Sequence, residues 1–308
     1  MMYIGFDTSN YTTSIARFDG IEGKNCSKLL DVKHGELGLR QSDAVFSHIK
    51  RLPDLADALF ASTREQDICA IGVSTRPRAV EGSYMPCFLA GVSAAKTMAS
   101  ALHVPCYEFS HQQGHVAAAL WSAGRLDLMK KPHLAWHLSG GTTELLYVQP
   151  DGNNVSAERI GGSSDISAGQ IMDRTGKMLE LNFPSGKELD QLSRSSDSRE
   201  LFRVKSRELS FSLSGLENKI SQFYLAGNRA EDVANYAIRS VAEVIAKTTD
   251  EALRQYPGCE IVFSGGVASN SYIRTRCQEF SPVFAEPMYS TDNAMGIAIL
   301  TWMQEVAD

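Results

Sequence analysis

One strand–turn–strand pattern occurs twice in this chain, and that repetition narrows the possible folds more than any other feature. Tyr3-Ile4-Gly5-Phe6-Asp7 reads as a strand, 8–12 as a tight polar turn, and 13–18 as a returning strand closed by Asp19-Gly20. The same order returns at Leu134-Ala135-Trp136-His137-Leu138, Ser139-Gly140-Gly141-Thr142 and 143–148, closed by Asp151-Gly152. Ser9-x-x-Thr12-Thr13 lines up with Ser139-x-x-Thr142-Thr143, which points to an internal duplication. Apolar residues at helical spacing mark 89–102, 111–123, 230–256 and 293–305 as helices. Strands alternating with helices imply an α/β protein, with ligands at the loops leaving strand ends and in a cleft between the halves.

With 308 residues, 43% of them hydrophobic, the chain has enough apolar material for one large core or two packed domains. Thirty Lys and Arg against thirty-six Asp and Glu give a net charge of −6, which excludes a polybasic tail or a self-standing nucleic-acid module. Any nucleic-acid partner has to be met by a local patch. The six cysteines are far apart and form no C-x-x-C pair, so buried reduced thiols are expected. The first residues lack the zones of a secretory signal and no apolar run approaches eighteen residues, which makes the cytoplasm the expected location and a membrane span unexpected.

His111-Gln112-Gln113-Gly114-His115 puts two imidazoles four residues apart on one face of a helix, a favourable spacing for two ligands of a transition metal. His133 and His137 have the same spacing but lie in a strand, where about 3.3 Å per residue separates them by roughly 13 Å, too far to share an ion. Two ligands are too few, and a carboxylate with an open position is the usual completion. Gln112 stands where a metalloprotease H-E-x-x-H would carry its general base, which argues against peptide hydrolysis.

Three glycine turns, Ser139-Gly140-Gly141-Thr142, Gly161-Gly162-Ser163 and Ser264-Gly265-Gly266, would let backbone N–H groups approach a phosphate, and the third is expected to open a helix directly. The P-loop, the dinucleotide G-x-G-x-x-G and the G-x-S-x-G elbow are all absent. Asp165 and Asp173 suit either ribose hydroxyls or helix capping.

Taken in order, these motifs resemble the TsaD family, the glycoprotease-like branch of the sugar kinase, Hsp70 and actin superfamily that makes N6-threonylcarbamoyladenosine in tRNA. The resemblance runs over essentially the whole chain. It is carried by Asp7-Thr8-Ser9, His111-x-x-x-His115, Ser139-Gly140-Gly141-Thr142, Asp165-x-x-Ala168-Gly169 with Asp173, Phe183-Pro184-Ser185-Gly186, Phe211-Ser212-Leu213-Ser214-Gly215-Leu216, Ser264 to Asn270, and Thr291-Asp292-Asn293-Ala294. It implies a duplicated actin-like ATPase fold, with a first half at 1–131 rejoined by a C-terminal helix at about 293–308 and a second half at 132–292; the joint falls at Met129-Lys130-Lys131-Pro132. It implies one divalent ion, iron or zinc, on His111, His115 and Asp292. An adenylate, ATP or ADP would sit on His137, Leu138, Ser139, Gly140, Gly141, Asp173, Gly186 and Asn270, with Asp190 at the ribose. The implied activity is transfer of threonylcarbamoyl from its adenylate to the N6 amine of the anticodon-adjacent adenosine, with tRNA and other proteins of that pathway as partners. Neither a catalytic side chain nor an oligomeric state is assigned from the sequence.

The chain also departs from the family. Asn10, Tyr11 and Thr12 replace a Cys and two acids, and Gly38 to His48 lacks a Pro-Glu and an Arg while keeping His48. Thr75-Arg76-Pro77-Arg78-Ala79 replaces a Gly-Pro-Gly turn, and Glu217-Asn218 stands where a Lys is usual. Arg40, Lys50, Arg51, Arg76 and Arg78 make either a positive patch or scattered surface bases. These losses leave two other readings open: a carbamoyltransferase that uses carbamoyl-adenylate with another acceptor, or a non-catalytic nucleotide-binding partner.

Overall fold

The computed structural model describes residues 1–9, 11–30, 39–61 and 67–306, so Asn10 and Gly38 lie outside the described residues. The chain divides into two compact units: residues 1–131, 149–157 and 292–308 form unit 1, and residues 132–148 and 158–291 form unit 2. The units change at Lys131/Pro132, and both the segment 149–157 and Asp292 belong to unit 1.

Unit 1 opens with β1 (Met2–Asp7), β2 (Thr12–Phe18) and β3 (Gly23–Leu29), followed by α1 (Gln41–Phe60), β4 (Ile68–Arg76), α2 (Phe88–Leu102), β5 (Cys106–Ser110) and α3 (His111–Ser122). Its sheet has the order β3-β2-β1-β4-β5, with β1, β4 and β5 parallel and the first hairpin antiparallel.

Unit 2 contains β6 (His133–Leu138), β7 (Thr143–Asp151), β8 (Asn154–Ser163), α4 (Ala168–Met178), α5 (Gly186–Ser193), the short β9 (Ser206–Arg207) and β10 (Ser210–Phe211), α6 (Ser214–Leu225) and α7 (Ala230–Gln255). β11 (Glu260–Ser264), α8 (Ser271–Cys277) and β12 (Val283–Phe284) complete it. Within its sheet the run β12-β11-β6-β7-β8 matches β5-β4-β1-β2-β3 of unit 1, with the central strands again parallel. The duplication inferred from two hairpins therefore extends to five strands, and the fold is that of the actin-like ATPases.

Residue alternation along the strands explains how unit 1 packs. Ile4 and Phe6 point to one face and share a buried cluster with Leu52 and Leu59 of α1 and Ala90 and Ala95 of α2. Gly5 and its ladder partner Gly72 present no side chain to the other face, where the last helix, α9 (Met295–Glu305), lies. A Cβ on Gly5 would come within 2.5 Å of the Ala298 nitrogen, and one on Gly72 within 1.9 Å of the Thr301 hydroxyl. α9 meets α3 just as closely, because a Cβ on Gly296 would fall 1.8 Å from the Gly114 carbonyl oxygen. In unit 2 the apolar face of α7, including Val233, Ala237, Val241, Val244 and Ile245, is buried against the sheet with Trp136, whose indole N–H donates to Thr249 at 2.9 Å.

Several expectations are corrected. The Gly265-Gly266 turn leads into a 3-10 turn (Gly266–Ser269), and the helix starts only at Ser271, because the Asn270 side chain caps it by accepting from the Tyr272 and Ile273 N–H groups. The terminal helix begins at Met295, where Asn293 accepts the Met295 N–H. None of the six cysteines forms a disulfide, but only Cys87 and Cys277 are buried. Asp165 turns out to be a cap: its carboxylate accepts from Ser212 Oγ and the Leu213 and Ser214 N–H groups at the start of α6. Burial disfavours its charge, but these donors outweigh burial and hold the carboxyl well below its usual range. No helix among the described residues is long and apolar enough to cross a membrane.

Candidate metal centre and glycine cradle

The C-terminal ends of parallel strands β1, β4 and β5 lie along one edge of the unit 1 sheet, where α/β proteins gather ligand groups. β5 ends at Ser110, which caps α3 through a box with Gln113: Ser110 Oγ accepts the Gln113 N–H, and Gln113 Oε1 accepts the Ser110 N–H. This cap sets where the helix begins and so aims His111 and, one turn later, His115. The close Gly114–Gly296 approach brings the residue leading into α9, Asp292, to the same place. His111 Nε2 and His115 Nε2 are 2.9 Å apart, and Asp292 Oδ1 is 3.5 Å from the first and 3.4 Å from the second.

These residues fit a transition-metal ion. Metal–nitrogen and metal–oxygen bonds of about 2.0–2.2 Å require neighbouring ligand atoms roughly 3 to 3.5 Å apart, which is the spacing of this triangle. Two imidazoles and one carboxylate leave further coordination positions for substrate oxygen or water. The three side chains are only partly buried, so the open positions can be reached from solvent.

Behind His111 lies Asp7, a residue the motif reading placed in the first hairpin without a role at the site. Its Oδ2 is 2.8 Å from His111 Nδ1, and it is 1% exposed. Ser74 Oγ donates to its Oδ1 at 2.6 Å, and the Ser9 N–H and hydroxyl complete its partners. A carboxylate on Nδ1 selects the tautomer that presents the Nε2 lone pair to a cation. Burial disfavours charge on His111, but Asp7 and then Asp292 outweigh it and push the imidazole up to about 10. Burial also raises Asp7 and Asp292, yet the facing imidazoles hold both below the usual carboxylate range. An acid at the end of the first strand was the available signal for Asp7, but only the tertiary structure places it on His111. Asp7→Asn should lower metal affinity about 10- to 100-fold while leaving the fold intact, as read by competitive chelator titration beside thermal unfolding. An unchanged affinity would deny Asp7 this role.

The other predicted residues all lie in unit 2. The Ser139–Thr142 turn is held by the Ser139 N–H to the Thr142 carbonyl and by Ser167 Oγ to the Gly140 carbonyl at 2.6 Å. Gly169, at the start of α4, supports the turn so closely that a Cβ there would meet Gly140 Cα at 2.4 Å, whereas Gly140 and Gly141 face open space. Leu138 is fully buried and contributes backbone: its carbonyl meets Gly265, which adopts φ +95°. His137 Nδ1 lies 3.4 Å from Ser264 Oγ.

Asp173 accepts the Ser185 N–H at 2.9 Å, beside Gly186, and burial pushes its carboxyl up against that bond. Asp190 accepts from the Ser271 N–H and hydroxyl and from Arg194, with Asn270 adjacent. Contacts thus join Gly140 to Gly169, Asp173 to Ser185, Asp190 to Ser271 and Gly265 to Leu138, around the starts of α4, α5 and α8. The N–H groups at the start of α8 are taken by Asp190 and Asn270, so the open glycines Gly140, Gly141 and Gly186 are the backbone positions an anion can approach. His133 is buried in β6.

The fold recurs in solved structures at low identity. They include full-length HypF (14% identical, TM-score 0.61, covering 98% of this chain and 46% of that one) and the ROK hexokinase of Thermus thermophilus (14%, 0.54, all of both chains). Sequence relatives are nearer. Proteins named tRNA N6-adenosine threonylcarbamoyltransferase match at 32% identity over 243 residues in Lacticaseibacillus casei (75% of this chain, 68% of that protein) and at 30% over 317 residues in Thermosipho africanus (97% and 93%). The family model described as TsaD, tRNA N6-adenosine threonylcarbamoyltransferase, matches residues 36–299, so this chain belongs to the TsaD family of transferases.

Proposed function

We propose that this protein transfers a threonylcarbamoyl group from threonylcarbamoyl-adenylate to the N6 amine of the adenosine beside the anticodon of tRNA. The observation that carries the reading is the meeting of His111, His115 and Asp292 in front of a buried Asp7. Structural packing alone has no use for such a set. His111, His115 and Asp292 would hold one iron or zinc ion, which when bound supplies Lewis acidity toward an oxygen of the carbamoyl group. Unit 2 would take the adenylate: the open backbone of Gly140, Gly141 and Gly186 receives phosphate oxygens, with His137, Leu138, Ser139, Asp173 and Asn270 around it and Asp190 at the ribose.

The carbonyl arrives already activated as a mixed anhydride, so the chain mainly orients it. The N6–C bond forms as the bond from carbon to the phosphate oxygen breaks, releasing AMP and one proton. Asp7 keeps the His111 ring in register, while the backbone N–H groups of Gly140, Gly141 and Gly186 stabilise the departing phosphate. The synthase that makes the adenylate and other proteins of that pathway would be its partners, in the cytoplasm.

Incubating the full chain with unmodified tRNA, threonine, bicarbonate, ATP and that synthase should yield threonylcarbamoyladenosine in digested tRNA, and less of it after chelation. No modified nucleoside would remove tRNA as acceptor. Tyr11 in the turn and Thr12 at the start of the returning strand of the first hairpin, where the resemblance implies acids, support a second reading: carbamoyl transfer to a different acceptor. AMP release that continues without modification of tRNA would favour it.

A further inference from the structure

The loop between β4 and α2 lies beside the candidate metal centre, and no role at that centre has been given to it. We propose that this loop grips the RNA strand, with Arg76 and Arg78 on phosphodiester oxygens next to the reacting nucleotide and Tyr84 offering its ring to a neighbouring base. The inference rests on the tRNA reading and extends it to the residues that receive the strand.

Its position comes from sheet register. Arg76 pairs with Ser110 across the β4–β5 ladder, at the strand spacing of about 5 Å, and Ser110 immediately precedes His111. Two residues before Arg76, Ser74 touches Asp7. Beyond the strand, the Pro77 carbonyl accepts the N–H of Gln112, the residue following His111, at 3.0 Å. Both arginines therefore flank a residue fastened to the first turn of the metal-bearing helix.

The loop has a defined shape. The Arg78 N–H donates to Ser83 Oγ at 3.0 Å, and the Ser83 N–H donates to the Val80 carbonyl. It also projects outward: Arg76 and Arg78 are exposed, and Tyr84 is 62% exposed. Arg76 makes no ion pair among the described residues, and between Pro77 and Cys87 the loop has a single acid, Glu81.

Charge and chemistry select the ligand. A chain of net charge −6 cannot attract a polyanion as a whole, so it needs cations placed where the strand must pass. A guanidinium fork matches two phosphate oxygens, and an exposed phenol ring provides a stacking face of the kind used for single-stranded RNA. A base delivered to the metal brings its own flanking phosphates to within about one nucleotide of it.

The test uses the full chain, a fluorescein-labelled unmodified anticodon stem-loop RNA, and anisotropy titrations between about 50 and 200 mM salt. Arg76→Ala with Arg78→Ala should weaken binding about tenfold or more at the low-salt end. Each phosphate contact in a single strand contributes about 0.7 to the slope of log K against log salt, so the slope should shrink by about 1.4. Arg76→Lys with Arg78→Lys should restore most of the slope, and Tyr84→Ala should weaken binding without changing it. Metal content and AMP affinity should stay at wild-type values. An unchanged slope in the double alanine variant overturns the inference and leaves the tRNA reading standing. AMP affinity that falls together with RNA affinity also overturns it, by assigning the arginines to the adenylate phosphate. If the wild-type chain shows no salt-dependent RNA binding at all, the tRNA reading itself fails and takes this inference with it.

Discussion

Gly296→Ala should destabilise the protein by about 3 kcal/mol, at the upper end of ordinary overpacking, and should also disturb the candidate metal centre. The added methyl would fall 1.8 Å from the Gly114 carbonyl oxygen and 2.5 Å from its carbon. Both are backbone atoms, so no side-chain rotation relieves the clash and the helices must separate. α9 begins three residues after Asp292, and Gly114 lies between His111 and His115, so separation pulls the carboxylate from the imidazoles. The expected results are a melting temperature lower by roughly 6–12 °C and a weaker metal affinity in the same variant. Gly215→Ala supplies the contrast: nothing lies within 4 Å of a Cβ there, so this helical glycine should gain about 0.4–1 kcal/mol on substitution. A neutral Gly296→Ala would mean that the close helix contact does not hold in solution.

His115→Ala should give the largest loss of metal. Structural zinc sites gain about 10–16 kcal/mol from four ligands, or roughly 3 kcal/mol per ligand, so losing one of three should weaken binding by about a hundredfold or more. The partners left behind add to the effect, because Asp292 and His111 would keep an incomplete cluster. His137→Ala removes a histidine of the same sequence spacing from strand β6 and should leave metal content unchanged. Elemental analysis of both proteins purified without chelator checks the pair. Equal metal content in wild type and His115→Ala would place the ion elsewhere.

The hairpins and the imidazole pair were legible because they rest on local rules. A polar glycine turn between apolar strands reads as a hairpin wherever it occurs, and a spacing of four aligns side chains only if the segment is helical. The same reasoning passed over α1, which carries Pro53 in mid-helix, and took the Gly265-Gly266 turn directly into a helix. There, Asn270 decided the boundary by accepting two N–H groups, a choice that Asn makes as readily in turns. Asp165 read equally well as a sugar contact or a cap until its partners at α6 were visible. Asp292 entered through family resemblance alone, since no local pattern ties a residue near the end of the chain to one at position 111.

What the chain order determined unaided was the duplicated strand–turn–strand plan, the α/β alternation and the helical histidine pair, because each depends on residues within a turn or two of one another. What the tertiary structure decided was the centre itself: Asp7 behind His111, Asp292 in front, and Arg76 one ladder rung from Ser110. Those groups lie up to 285 positions apart, from Asp7 to Asp292. They meet because parallel strands end on one edge and because glycines at 5, 72, 114 and 296 let α9 pack against bare backbone.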